Sequence, residues 1–338
     1  MKNDKYIIRS IEPQKLEGLK AYVSNGTLDL TTLVIEIDSI LIDEGFEPFQ
    51  RPLNACSRIA DKLGIAFSIG AEKDDFLEAV HFIYESLYRP ADLYMPPMHI
   101  GTVMFRDIFL PLKIPVVYGT ASVDPIKSLD GVPENTVKWM FQSDDAAYSF
   151  TDQWVDLLDF VYGLDDISKL QKHTAQAVEF WQLAKQQLEG AAATLLGSID
   201  KYTVIQNSII AIELLLKGAL SAKGVSGSDI RKYGHKMDKL AAKVCEILPM
   251  PEQERVNLVV SRTPQLVERR YQARDYKRTE IGQIMMDAQF IAGEVLRQFS
   301  DRDTRSTLSI TSSSGRDYAQ RKYPFLSNGI TEGTVGTI

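Results

Sequence analysis

YTVIQNSIIAIELLLKGALSA, running from Tyr202 to Ala222, is the stretch on which the fold turns. Ile205, Ile209, Ile210, Ile212, Leu214, Leu215, Leu216 and Leu220 place apolar side chains on nearly every side of a helix. A helix of that kind is normally the buried centre of a bundle. Glu213 interrupts it, and a carboxylate buried there without a partner would cost several kcal/mol, on the order of the penalty for an orphaned charge. Lys217 lies one turn on, in the favourable Glu-before-Lys order. His235, Arg231 and Arg270 are the further bases that neighbouring helices can bring to it. Gly224 is placed to cap the helix end, and Ser226, Gly227 and Ser228 to turn the chain.

Working outward, the segment before it carries Leu170, Ala177, Trp181, Ala184, Leu188, Ala191 and Leu195 on one helical face, and Gly197 to Lys201 breaks the pattern. After the glycine turn, Met237, Leu240, Ala241 and Val244 predict a helix over about His235–Ile247. A fourth helix is expected over about Glu252–Tyr271, bending or breaking at Thr263–Pro264, because proline removes a backbone donor and clashes with the preceding turn. The last has Thr279 as expected N-cap, Glu280 in its first turn, and Ile281, Ile284, Met285, Ala288, Ile291, Ala292, Val295, Leu296 and Phe299 as its apolar face. Residues 167–300 therefore read as a helical bundle of about five helices. From Asp301 the composition shifts to Ser, Thr, Gly and Arg, so 301–338 is expected to be a flexible tail, with Tyr318, Tyr323, Pro324, Phe325 and Leu326 as its apolar cluster.

Residues 1–166 are harder to read. Tyr6–Ile11 and Leu33–Ile42 alternate in polarity as short strands do, although a helix fits the second run nearly as well. Leu53, Ile59, Ala60 and Leu63, and then Phe76, Ala79, Val80, Ile83 and Leu87, follow helical spacing up to Pro90; Pro96 and Pro97 mark a loop. Pro111 and Pro115 suggest a short helix after Ile100 and then an extended piece over Ile114–Tyr118. Ala147, Phe150, Trp154, Leu157, Leu158 and Val161 make one more helix, and Gly163, Asp165 and Asp166 read as the domain junction. The fold expected is mainly α: an acidic, α-rich N-terminal domain with a few short strands, and the C-terminal bundle.

Only Cys56 and Cys245 are present, so reduced thiols in a cytoplasmic setting are the default. The first residues lack the apolar run of a signal peptide, and no membrane partner is expected. Residues 1–166 hold 14 Lys and Arg against 27 Asp and Glu, a balance of -13; residues 167–338 hold 24 against 18, a balance of +6. On that division the second half suits a polyanion and the first half would repel one.

The order Ile210-Ala211-Ile212-Glu213-Leu214-Leu215-Leu216-Lys217, then Gly224, then Tyr233-Gly234-His235-Lys236-Met237 leading to Leu240, resembles the HEPN family, with Arg270-Tyr271 standing where that family's later Arg-Tyr pair is expected. The resemblance covers about 130 residues and leaves the N-terminal half untouched. It implies a helical bundle that commonly pairs as a homodimer, RNA as a partner, and a role in microbial stress or phage defence, toxin–antitoxin systems included. Glu213, Lys217, Tyr233, His235, Arg269, Arg270, Tyr271 and Arg274 are the binding residues it implies.

Catalytic members of the family cut RNA without metal, using an Arg and a His with four to six residues between them. Here the histidines are His81, His99, His173 and His235, and none follows the fourth helix; Arg231 to His235 leaves three residues between. The expected function is thus a non-catalytic RNA-associated or partner-binding component, with the acidic N-terminal domain as a surface for a protein partner. A metal-independent endoribonuclease using His235 with Arg231 or Arg270 is the competing reading, and a scaffold without RNA affinity the third. The basic run Arg262, Arg269, Arg270, Arg274, Lys277, Arg278, interleaved with Tyr271 and Tyr276, suits single-stranded nucleic acid and equally a solvated helix end. Glu36, Asp38, Asp43 and Glu44 lack companion histidines and read as solvated, so no metal and no cofactor are expected; there is also no P-loop, dinucleotide turn or nucleophile elbow.

Overall fold

Pro96 and Pro97 divide the chain into two packing units, 1–96 and 97–338. The structure, a computed structural model, describes residues 23–24, 27–65, 74–117, 119, 123–129, 131–171, 173–199, 201–264 and 276–311. Tyr6–Ile11 and the apolar cluster at 318–326 lie outside them.

In the first unit a two-residue antiparallel ladder, β1 (Val23–Ser24) with β2 (Thr27–Leu28), leads into three packed helices: α1 (Leu30–Asp43), α2 (Arg51–Leu63) and α3 (Asp75–Leu87). A short α4 (Pro90–Leu93) follows. Leu33–Ile42 is helical, because Leu30, Leu33, Val34, Ile37 and Leu41 recur at three and four residues and bury a stripe against Ala55, Ile59, Val80 and Ile83. That stripe outweighs the local alternation. Asp29 caps α1 by accepting from the Thr32 amide, and Gly64, at φ 62°, ends α2 in the left-handed conformation that glycine adopts without strain.

The second unit opens with an antiparallel hairpin, β3 (His99–Phe105) and β4 (Ile108–Ile114), where a short helix was expected. Pro111 is tolerated in β4 because of its register. Counting from the Phe105–Ile108 pair that closes the two-residue loop, its partner Thr102 falls at a non-hydrogen-bonded pair, where no β4 amide is needed. Then come α5 (Glu134–Met140), α6 (Asp144–Leu170), α7 (Ala175–Gly197), α8 (Tyr202–Ala222), α9 (Gly227–Tyr233), α10 (Met237–Ile247), α11 (Gln253–Arg262), α12 (Arg278–Arg297) and α13 (Thr304–Thr311).

The helix α8 is the central rod: Val204, Ile205, Ile212, Leu215, Leu216 and Leu220 are buried against α7, α10 and α12. By length and composition it could cross a membrane, yet most of it is buried inside the bundle. The fourth helix of the bundle, α11, stops at Arg262, one residue before Thr263–Pro264, as the proline requires. Thr279 lies inside α12, one position past its start, while Glu280 accepts from the Lys277 amide at 2.8 Å as expected of a first-turn acid.

The domain junction expected near Gly163–Asp166 is not there. Helix α6 runs unbroken through it, and Gly163 is a site of close approach: a Cβ would stand 2.7 Å from Ser300 Oγ. The hairpin and α6 thus belong to the same core as α7, α8 and α12, with Val103, Leu112, Leu157, Phe160, Trp181, Leu215, Phe290 and Val295 in one cluster. Helix α12 approaches α6 so closely that a Cβ on Gly293 would lie 2.7 Å from the Asp156 backbone. Nor does the chain lose order at Asp301, since residues 304–311 form α13 against α6.

Candidate functional site

Glu213 sits on the outer edge of α8 in the second unit, its side chain 12% exposed. Oε1 accepts from Lys217 Nζ at 2.5 Å, and Oε2 is 2.8 Å from His235 Nδ1. Lys217 reaches it from one turn along the same helix. His235 reaches it from the link between α9 and α10, where Gly234, at φ 58°, lets the chain reverse. The carboxylate therefore has a base on each oxygen, and the energetic objection to an acid in an apolar helix disappears. With its Nδ1 tied to the carboxylate, the His235 ring is 60% exposed and directs its other nitrogen away from Glu213.

Of the other expected site residues, Tyr233 ends α9 half-buried against the core. Arg231 is exposed on α9, and no hydrogen bond or ion pair joins it to His235 or Glu213. Arg269, Arg270, Tyr271 and Arg274 lie outside the described residues.

A larger set of charges is sealed inside the bundle. Asp152, Asp156 and Asp159 recur at four and three residues on α6 and are all buried. Arg297 of α12 donates to Asp156 Oδ1 from Nη2 at 2.5 Å and to Asp159 Oδ2 from Nε at 2.6 Å, with Glu294 3.5 Å from its Nη1. Arg305 of α13 reaches Asp156 at 2.5 Å and Asp152 at 3.6 Å. The Thr304 amide donates to Asp159, so this network is what fastens α13 to α6. Burial works against the Arg297 charge, but Asp156 and Asp159 outweigh it and hold the guanidinium above its ordinary pKa. Asp287 on α12 accepts from Nε and Nη2 of Arg262; burial nevertheless raises its carboxyl above the ordinary value, with Arg262 opposing.

These contacts revise the charge argument. Asp152, Asp156 and Asp159 of α6 are packed inside the second unit against its own arginines. Counted by packing unit, residues 1–96 hold 10 bases and 16 acids, a balance of -6, and residues 97–338 hold 28 and 29, a balance of -1. The contrast between sequence halves is not a contrast between bodies. Its legible signal was the spacing of Asp152, Asp156 and Asp159, which puts three acids on one stripe.

His99 on β3 is fully buried, with Nδ1 3.1 Å from Glu189 Oε1 and its ring edge-on to Phe160. Burial lowers its pKa, opposed by Glu189, so at neutral pH the ring is uncharged and donates from Nδ1. Gln289 of α12 closes the outer edge of the hairpin: its Oε1 accepts from the Thr102 amide and its Nε2 donates to the Thr102 carbonyl, both at 2.8 Å. In the first unit Asp38 is buried, bonded by Tyr88 Oη at 2.5 Å and 3.8 Å from Arg51, and Glu44 is held by Arg58 at 2.8 Å. Arginines occupy two of the four acids once weighed as metal ligands, and among the described residues no group of His, Cys, Asp and Glu is arranged to hold a metal. Compared with known proteins, the chain matches no family model, no curated protein and no solved structure.

Proposed function

We propose that this chain is a non-catalytic, HEPN-like, RNA-associated component of a microbial stress or phage-defence system, one that binds RNA without turning it over. The observation that carries the reading is the Glu213 cluster. An apolar central helix presents one acid at its edge, and Lys217 and His235 take its two oxygens, with His235 arriving from the Gly-His link. These are three of the residues through which the chain resembles the family. The reading of binding without turnover is supported by what surrounds His235 among the described residues. Cleaving a phosphodiester needs a proton carrier and a second group to stabilise charge on the phosphate. Lys217 is committed to Glu213 at 2.5 Å, and Arg231 makes no bond to His235.

One observation favours the competing endoribonuclease. A histidine whose Nδ1 is held by a carboxylate, with its other nitrogen directed outward, has the orientation of a general base. Incubating the full chain with labelled single-stranded RNA in EDTA, beside His235→Ala, separates the readings. Retarded but intact RNA, with affinity falling as salt rises, is the expected result. RNA cut by the wild type and spared by His235→Ala establishes the enzyme instead. No retardation even at low salt leaves only the scaffold.

A further inference from the structure

We infer that the tip of the β3–β4 hairpin, with the first turn of α12 beside it, is a contact face for single-stranded RNA, built from Arg106, Phe109, Trp139, Lys201, Lys277 and Arg278. The inference rests on the RNA-associated reading above and locates it away from the Glu213 cluster.

The hairpin loop has two residues, Arg106 and Asp107, and Arg106 has φ 58°. A glycine adopts that conformation without strain, and an arginine does not. The arginine is thus held at the apex at a conformational cost. Its guanidinium lies 5.0 Å from the centre of the Trp139 ring, which is 48% exposed and braced from below by the edge of Phe105. Across the turn, Arg278 donates to the Asp107 carbonyl at 3.1 Å and stands 4.8 Å over Phe109. Lys201, anchored on the carbonyls of Leu195 and Ser198, shares the same ring at 5.8 Å.

Two cations over one ring repel each other, and the missing neutralisation is the telling feature. Several other surface cations in this unit are matched: Lys138 with Glu134, Lys169 with Asp165, Lys185 with Glu189, Lys243 with Glu246 and Arg302 with Asp166. Among the described residues no carboxylate lies within ion-pair distance of Arg106, Lys201, Lys277 or Arg278. The start of the 20-residue α12 adds a partial positive charge at the same place, offset in part by Glu280, which accepts from the Lys277 amide.

Unneutralised cations suit phosphates, and the exposed Trp139 ring suits an unstacked base. A duplex offers phosphates but keeps its base faces to itself, so the combination favours a single strand. None of the six groups is placed to read a base edge, and sequence preference is expected to be weak.

The test measures binding of fluorescein-labelled oligouridylate, the matching DNA strand and an RNA duplex to the full chain by anisotropy across a salt series. Both single strands should bind above the duplex. Arg106→Gly should weaken strand binding and flatten the salt dependence by a slope of about 0.7, the loss of one phosphate contact. Its thermal midpoint should stay level or rise, because glycine relaxes the loop; a merely structural arginine would move both readings together. Trp139→Ala should weaken binding roughly 5- to 150-fold, the worth of one stacked base. Wild-type binding left unchanged by Arg106→Gly and Arg278→Gln, or a duplex bound as tightly as a strand, overturns this face while leaving RNA association standing. Failure of the wild type to bind any strand at low salt removes both.

Discussion

Replacing Gln289 with leucine should destabilise the second unit far more than the loss of one polar side chain suggests. The Gln289 amide is fully buried and acts as a missing strand for β3: it satisfies the Thr102 N–H and C=O, which point away from β4 because Thr102 opposes Pro111 at a non-hydrogen-bonded position. It also donates to Gln153 Oε1 at 2.5 Å. Leucine keeps the volume and removes all three bonds, orphaning two backbone groups and one side-chain oxygen away from water. Each buried orphan costs about 1–3 kcal/mol, and the added apolar surface recovers about 1–2 kcal/mol. The expected loss is about 1–8 kcal/mol, centred on about 4, a large share of the roughly 5–15 kcal/mol that holds an ordinary domain. Trp139, Trp154 and Trp181 all lie beyond Pro97, so urea unfolding followed by tryptophan fluorescence reports this unit alone. A loss under about 1 kcal/mol would mean that water satisfies Thr102 and that the hairpin edge is not sealed by α12.

Two further perturbations probe the buried charges. Arg297→Met leaves Asp159 without its guanidinium and Asp156 with only Arg305, and should cost about 3–5 kcal/mol in denaturant unfolding; adding Asp159→Leu should restore part of it, since an apolar replacement of a whole pair is often neutral. If the double variant is less stable than Arg297→Met alone, the pair is not what limits this core. His99 makes stability fall in acid: its folded pKa is depressed by burial, so its contribution is complete above the ordinary value of 6.5 and is lost as pH drops from there toward the lower folded value. Glu189, at 3.1 Å from His99, and Lys185, paired with Glu189, are the charges facing it. The stability difference between wild type and His99→Leu should be level above pH 6.5 and shrink below it; a difference that ignores pH there would show that the ring is not neutral in the fold.

The bundle helices were legible because each carries its own period. Trp181, Ala184, Leu188 and Ala191, or Ile284, Met285, Ala288 and Ile291, recur at the spacing of a helix face whatever surrounds them. The hairpin was not legible, since prolines in a short apolar run argue against a strand unless the register is known, and Pro111 is harmless only at its particular pair. The false junction at Gly163 has a related cause. Glycine followed by two aspartates reads as a loop, but Gly163 is small because Ser300 packs on it, while Asp165 and Asp166 are held by Lys169 and Arg302.

The sequence by itself determined that Tyr202–Ala222 is a buried helix and that Glu213 must be neutralised, because apolar periodicity and the cost of an unpaired charge are local facts about one segment. Only the tertiary structure decided which bases do it. It also decided that Asp152, Asp156 and Asp159 of α6 meet the arginines of α12 and α13, and that Lys201 and Arg278 share the Phe109 ring beside the Arg106–Asp107 loop. Those contacts join residues up to 171 positions apart, from Asp107 to Arg278, and charge acts through space over a few ångströms, along paths that chain order does not record.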